Sequence, residues 1–168
     1  MNNAAKNEGK DTPGQLSGTL RVLLVGNNPM FLGKLYQKLK ALKNHTFIID
    51  FSFDFKESLM KAFRLRPSVI LVDDAVGKGV VRGFIDRINS DRRTRDIPIT
   101  LLKTSNYRQV VTSGVQDFLL KENLSPERLY HSIMNAVKFK RTARLLKIAR
   151  RKKERQISRW VKSIKEML

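Results

Sequence analysis

Gly114-Val-Gln-Asp-Phe-Leu-Leu-Lys121-Glu-Asn-Leu-Ser-Pro-Glu-Arg-Leu129 is the stretch on which the fold turns. Asp117–Leu120 reads as a short strand that closes on a lysine. Four residues on, Ser125-Pro126-Glu127 has the chemistry of a helix start: a hydroxyl to cap the orphan amides, proline where no N–H is needed, and an acid in the first turn. The helix it opens carries Leu129, Ile133 and Val137 at helical spacing and meets no breaker before the C-terminus.

The same alternation extends upstream. Leu20–Val25 is a continuous apolar run ending in Gly26-Asn27-Asn28-Pro29, a strand entering a turn. From Met30 to Leu42, Phe31, Leu35, Leu39 and Leu42 recur on one helical face. Phe47–Phe51 reads as a second strand, and Lys56–Leu65 as a helix stopped by Pro67. Val69–Val72 is a third strand running into Asp73-Asp74; Val80–Ser90 is a helix with Val81, Phe84, Ile85 and Ile88 on one side. Ile97–Leu102, containing Pro98, is a fourth strand, and Tyr107–Thr112 leaves room for only a short helix before Gly114. Five strands alternating with five helices predict a doubly wound α/β fold, a five-stranded parallel sheet covered on both faces. Such sheets place their crevice at the carboxyl ends of the strands, which here are residues 26–28, 73–75, 103–105 and 121.

Composition bounds the rest. Hydrophobic residues make up 41% of 168, enough for a real core, and there is no cysteine to form disulfides or thiolate metal sites. The apolar runs are far too short to cross a bilayer, and residues 1–19 read as a polar, disordered leader without a signal-peptide core. A cytoplasmic protein is expected. The net charge of +19 is concentrated at one end: residues 138–168 hold 13 Lys/Arg against Glu154 and Glu166. The expected organisation is a leader (1–19), an α/β domain (20–137) and a basic helical tail (138–168).

Four ordered stretches carry a family resemblance: Arg21-Val-Leu-Leu-Val25-Gly-Asn-Asn-Pro29, Arg66-Pro-Ser-Val-Ile-Leu-Val-Asp73, Asp96-Ile-Pro-Ile-Thr-Leu-Leu102 and Gly114–Lys121. Over about residues 20–140 the chain resembles the receiver domain of bacterial two-component response regulators, the chemotaxis-regulator-like, flavodoxin-like fold. The resemblance implies that Asp73 stands at the phosphoacceptor position, Lys121 at the phosphoryl-contacting lysine and Phe118 at the aromatic switch position. It also implies a protein partner such as a histidine kinase or another regulatory protein.

The departures from that pattern are specific. Gly26 and Asn27 occupy the positions where receivers carry two Mg²⁺-holding acids, and Lys103 stands where a hydroxyl is expected, with Thr104 one place later. A glycine offers a hard cation no side-chain ligand and an asparagine only a neutral carbonyl. Because strand side chains alternate faces, Thr104 is not expected to take over without a bulge. The link from Lys103 to Gly114 is shorter than in receivers, so the fourth helix is expected to be shortened. The expected protein is therefore a degenerate pseudo-receiver, a non-catalytic protein-interaction adaptor independent of phosphorylation, with Asp73 neutralised by Lys103 and Lys121 beside Asp74 and no cofactor. One alternative is a working receiver that is phosphorylated on Asp73 with Mg²⁺. Another is a nucleic-acid-associated regulator.

Gly77, Gly79 and Gly83 fit neither dinucleotide nor P-loop spacing and read as a flexible loop. His45 and His131 have no partner at metal-binding spacing, and no nucleophile triad is visible. In the tail, Lys140, Arg141, Arg144, Lys147, Arg150, Arg151, Lys152, Lys153, Arg155 and Arg159 are candidate contacts for a polyanion, whether nucleic acid or an anionic surface. Ile157, Trp160, Val161, Ile164 and Leu168 recur at helical spacing and leave a homodimeric pairing open.

Overall fold

The computed structural model describes residues 18–43, 45–104 and 114–167. The leader up to residue 17, the short helix expected at Tyr107–Thr112 and Leu168 lie outside them. Five strands, β1 (Leu20–Val25), β2 (Phe47–Ser52), β3 (Val69–Asp73), β4 (Ile99–Lys103) and β5 (Asp117–Leu120), alternate with α1 (Pro29–Lys40), α2 (Phe55–Leu65), α3 (Lys78–Ser90) and α4 (Pro126–Met167). All strand pairs are parallel, in the order β2-β1-β3-β4-β5. The order reverses between β1 and β3, the switch point of a flavodoxin-like sheet.

The central strands read as unbroken apolar runs because both their faces are covered. Val22, Leu24, Val69, Leu71 and Leu102 pack under α1 and α4, against Leu32, Leu35, Leu39, Leu129 and Ile133. The alternate residues Leu23, Val25, Ile70, Val72, Ile99 and Leu101 meet Ala62 of α2 and Val81, Phe84, Ile85 and Ile88 of α3.

Local chemistry sets the boundaries. Asn28 Oδ1 accepts from Phe31 N (3.1 Å) with Pro29 in the first turn, and Ser125 Oγ accepts from Arg128 N (3.2 Å). Asp54 Oδ2 accepts from Glu57 N, while Glu57 Oε2 reaches back to Phe53 N, a reciprocal cap. β4 begins at Ile99, two residues later than expected, because Ile97 N donates into the preceding turn at Thr94 O (2.8 Å). Gly79 and Gly83 lie inside α3, and only Gly77, at φ +108°, serves the turn before it. The helix expected at Val80–Ser90 thus starts two residues earlier; its apolar face of Val81, Phe84, Ile85 and Ile88 overrides the low helix propensity of Gly79 and Gly83, and the loop expected at the glycines shrinks to the turn at Gly77.

α4 runs 42 residues without interruption, about 63 Å at 1.5 Å per residue. Its first turns are buried at Leu129, Ser132, Ile133, Met134 and Ala136, whereas every described residue from Arg141 onward is exposed. Exposed i,i+4 pairs, Arg150–Glu154 (2.9 Å) and Lys162–Glu166 (3.9 Å), run along the projecting part.

Candidate functional site

Asp73, the last residue of β3, is 1% exposed. Its Oδ1 accepts from Ala75 N (2.9 Å), starting a 3-10 turn at Asp74–Val76, and also meets Lys121 Nζ in an ion pair. Lys121 directly follows β5 and shares the sheet face of Leu119, which packs on the α1/α4 side. The same ammonium lies 3.1 Å from Asp74 Oδ1, donates to Thr104 Oγ1 (3.1 Å) and sits 4.9 Å from the centre of the Phe31 ring. One lysine thereby bridges both carboxylates.

Thr104 holds Asp74 from the other side. Its N–H donates to Asp74 Oδ2 (3.0 Å) and its hydroxyl to Asp74 Oδ1 (2.9 Å), tying the end of β4 to the turn after β3. The hydroxyl accepts from Lys121 while donating to Asp74, so its bonding capacity is used coherently. Burial pushes the Asp74 carboxyl up, but the Thr104 amide and hydroxyl together with Lys121 outweigh it and hold the group below its ordinary value.

Two expectations are corrected here. Lys103 does not join the Asp73 pair: its Nζ lies over the Phe118 ring, 5.4 Å from the centroid. Asp73 is in register with Leu102, on the α1/α4 side, so the next residue on β4 points to the opposite face with Leu101. Thr104 does enter the cluster, because β4 ends at Lys103 and Thr104 has the parity of Leu102. No bulge is required, and its contacts are to Asp74 and Lys121.

After β1, Gly26 is buried and Asn27 exposed. A Cβ on Gly26 would lie 3.0 Å from Asp73 Cβ and 3.2 Å from Leu32 Cδ2, tighter than ordinary contact. The missing side chain lets β1 and Asp73 approach closely, and a carboxylate placed there would crowd Asp73 sterically and by charge. Among the described residues, no three acidic or histidine side chains gather as a metal site would need.

Phe118 is part-exposed on β5, above Lys103. His45 stacks on Tyr130 (4.2 Å between centroids), and His131 meets the same ring edge-on. The ten basic tail candidates divide by helical geometry, at about 100° per residue. Lys140, Arg141, Arg144, Lys147, Arg151, Lys152, Arg155 and Arg159 share one side of α4, while Arg150 and Lys153 fall on the other, among the apolar residues. Lys140 is half-buried and donates to Arg95 O (2.9 Å); burial pushes its ammonium below the ordinary lysine value, with Asp96 opposing.

No family model matches this chain, and no curated protein matches it. Solved structures do. The signal receiver domain of an HD domain-containing protein from Pseudomonas fluorescens Pf-5 superposes with a TM-score of 0.62 at 16% identity, covering 74% of this chain and 99% of its own. The receiver domain of the Pseudomonas aeruginosa sensor histidine kinase PA1611, described with a magnesium ion in its active-site cleft, gives 0.62 at 20% identity, covering 72% and 99%. Vibrio cholerae chemotaxis protein CheY4 gives 0.61 at 20% identity, covering 71% and 99%. The fold is that of response-regulator receivers. In this receiver fold Asp73, Asp74, Thr104 and Lys121 converge at the carboxyl ends of β3, β4 and β5, while the exposed part of α4 projects beyond the domain.

Proposed function

We propose that the chain is a receiver-fold signalling adaptor whose carboxylate cluster is bridged by its own lysine and which acts through protein contact, without phosphorylation, metal or catalysis. The observation that carries this is the Lys121 ammonium bridging Asp73 and Asp74, with Thr104 occupying the oxygens of Asp74. A divalent cation wants anionic oxygen in its first coordination sphere. Here Gly26 supplies none, Asn27 only a neutral carbonyl, and both aspartates already answer to an internal cation. The donor set therefore fits Mg²⁺ poorly: Lys121 offsets one of the two carboxylate charges, and the Thr104 amide and hydroxyl satisfy the oxygens of Asp74. No described helix is long and apolar enough to cross a membrane. The proposed partner is a cytoplasmic protein, a sensor kinase or another regulator.

The test is phosphoryl uptake. Incubation with acetyl phosphate and Mg²⁺ should leave the intact mass unchanged, and Mg²⁺ should not shift the urea midpoint. Stoichiometric aspartyl phosphate mapped to Asp73 would overturn the proposal and make the chain a working phosphorelay receiver.

A further inference from the structure

The amino-terminal edge of the sheet, at the far end from Asp73, holds a cleft of about 590 Å³. Its wall is basic: Arg66, Arg92, Arg93, Lys140, Arg141 and Arg144 line it, with Asp96 the one carboxylate among the described lining residues. These cations come from three places in the chain. Arg66 caps α2 in the left-handed region (φ 45°), its N–H closing on Ala62 O, and Pro67 then bars the helix from continuing. Arg92 and Arg93 belong to the turn after α3, where Arg93 packs over the Phe63 ring at 5.0 Å. The other three belong to α4, where that helix leaves the domain.

The α4 residues at the cleft mark one face of the helix. With 3.6 residues per turn, that face returns at Lys147, Arg151, Arg155, Arg159 and Lys162, roughly 33 Å along from Lys140. The cleft is thus the inner end of a continuous basic track. Phe139, Leu146, Ile157, Trp160 and Ile164 occupy the opposite side of the same helix, all of them exposed.

The segregation is partial, with Ile148 on the basic side and Arg150 and Lys153 among the apolar residues, but the larger set of cations opposes Trp160, and this bears on the ligand. A helix lying on a bilayer buries its apolar side and flanks it with cations at headgroup depth. Here a bilayer taking the Trp160 side would turn the crest of Arg144, Arg151, Arg155 and Lys162 away from the anionic headgroups. A polymer of evenly spaced phosphates fits better, because cations recur at every helical turn and arginine forks match phosphate oxygens bidentately. We infer that the cleft and the basic face of α4 form one seat for the phosphate backbone of a duplex nucleic acid, gripped without reading its sequence. The seat lies at the opposite edge of the sheet from Asp73, so the inference does not depend on how that cluster is read.

The test is fluorescence anisotropy of the full chain with a short DNA duplex of arbitrary sequence across a salt series. Two variants divide the seat: Arg66→Asn with Arg92→Ser on the domain, and Arg151→Ser with Arg155→Ser on the tail. Asparagine tolerates the left-handed cap, and Arg93 keeps its place on Phe63. Each variant should weaken binding roughly tenfold or more and flatten the log affinity–log salt slope by about 0.9 for each phosphate no longer neutralised. Trp160→Ala should leave both unchanged. A domain variant that binds DNA with the wild-type affinity and slope overturns the cleft. Failure of the wild type to bind the duplex, with capture by phosphatidylserine vesicles that Trp160→Ala abolishes, assigns the tail to lipid and overturns the whole inference. Neither result changes phosphoryl uptake at Asp73, so the two proposals fail separately.

Discussion

Replacing Lys121 with methionine tests the carboxylate cluster most directly. The variant keeps the aliphatic stem and its place beside Phe31 but removes the ammonium that bridges Asp73 and Asp74 and donates to Thr104. Asp73 is then left buried with the Ala75 amide as its remaining hydrogen-bond donor among the described residues. Stripping one partner from a buried pair costs about 3–5 kcal/mol, most of it the uncompensated charge. The cluster is not sealed, since the Lys121 side chain is 17% exposed and that of Asp74 29%, so water recovers part of this cost. The expected cost is about 2–4 kcal/mol. Adding Asp73→Asn should restore much of it, leaving a deficit of about 1 kcal/mol, because the amide oxygen still accepts from Ala75 and the fully buried charge is gone, while Asp74 keeps its Thr104 donors and its partial exposure. The assay is urea unfolding followed by far-UV circular dichroism; Trp160 fluorescence does not serve, because the indole is 67% exposed on the projecting helix and reports the tail. Two results refute the reasoning: a Lys121→Met cost below about 1 kcal/mol, or a double variant no more stable than Lys121→Met alone.

Thr104→Val removes the hydroxyl that donates to Asp74 and accepts from Lys121, and should cost about 1–2 kcal/mol in the same assay, whereas Thr104→Ser should cost less than half as much. Asp74 is held below its ordinary value in the folded state, so its contribution is present above the unfolded aspartate pKa of about 3.9 and disappears as pH falls through the folded value. Urea midpoints taken from neutral pH down to acid should therefore fall less steeply in Asp74→Asn than in the wild type. Gly26→Asp should destabilise more than Gly26→Ala, which itself should cost about 1–3 kcal/mol through the 3.0 Å approach to Asp73 Cβ; equal costs would remove the charge term. Deleting residues 145–168 should change the stability of the domain by less than about 0.5 kcal/mol, since every described side chain there is exposed.

Legibility in the sequence followed the physics of each signal. β1 and β5 have the expected bounds because their apolar runs end in a turn residue or a charge, and α4 was legible through Ser125-Pro126. Asp73 and Lys121 converge because strand ends in a parallel sheet must converge. The exchange of roles between Lys103 and Thr104 was not legible, since it depends on where β4 stops pairing and on which face Asp73 shares with Leu102. Nor was the close approach at Gly26, which is a distance between two strands rather than a pattern along either. The basic cleft was hidden for a related reason. Arg66, Arg92 and Arg93 are ordinary turn residues in sequence, and only the topology of the sheet brings them to the side of α4.

The continuity of α4 has a mechanical consequence. One end of the helix is embedded among the core residues Leu129 and Ile133, and the other stands clear of the domain with no joint between them. It is a lever arm: about 40 Å extends past Arg141, so a pivot of about 10° at the embedded end sweeps the tip through roughly 7 Å. A contact that nudges the packing of α4 against the sheet is thereby amplified toward Trp160, and at the tip the displacement is wider than the pitch of a helical turn.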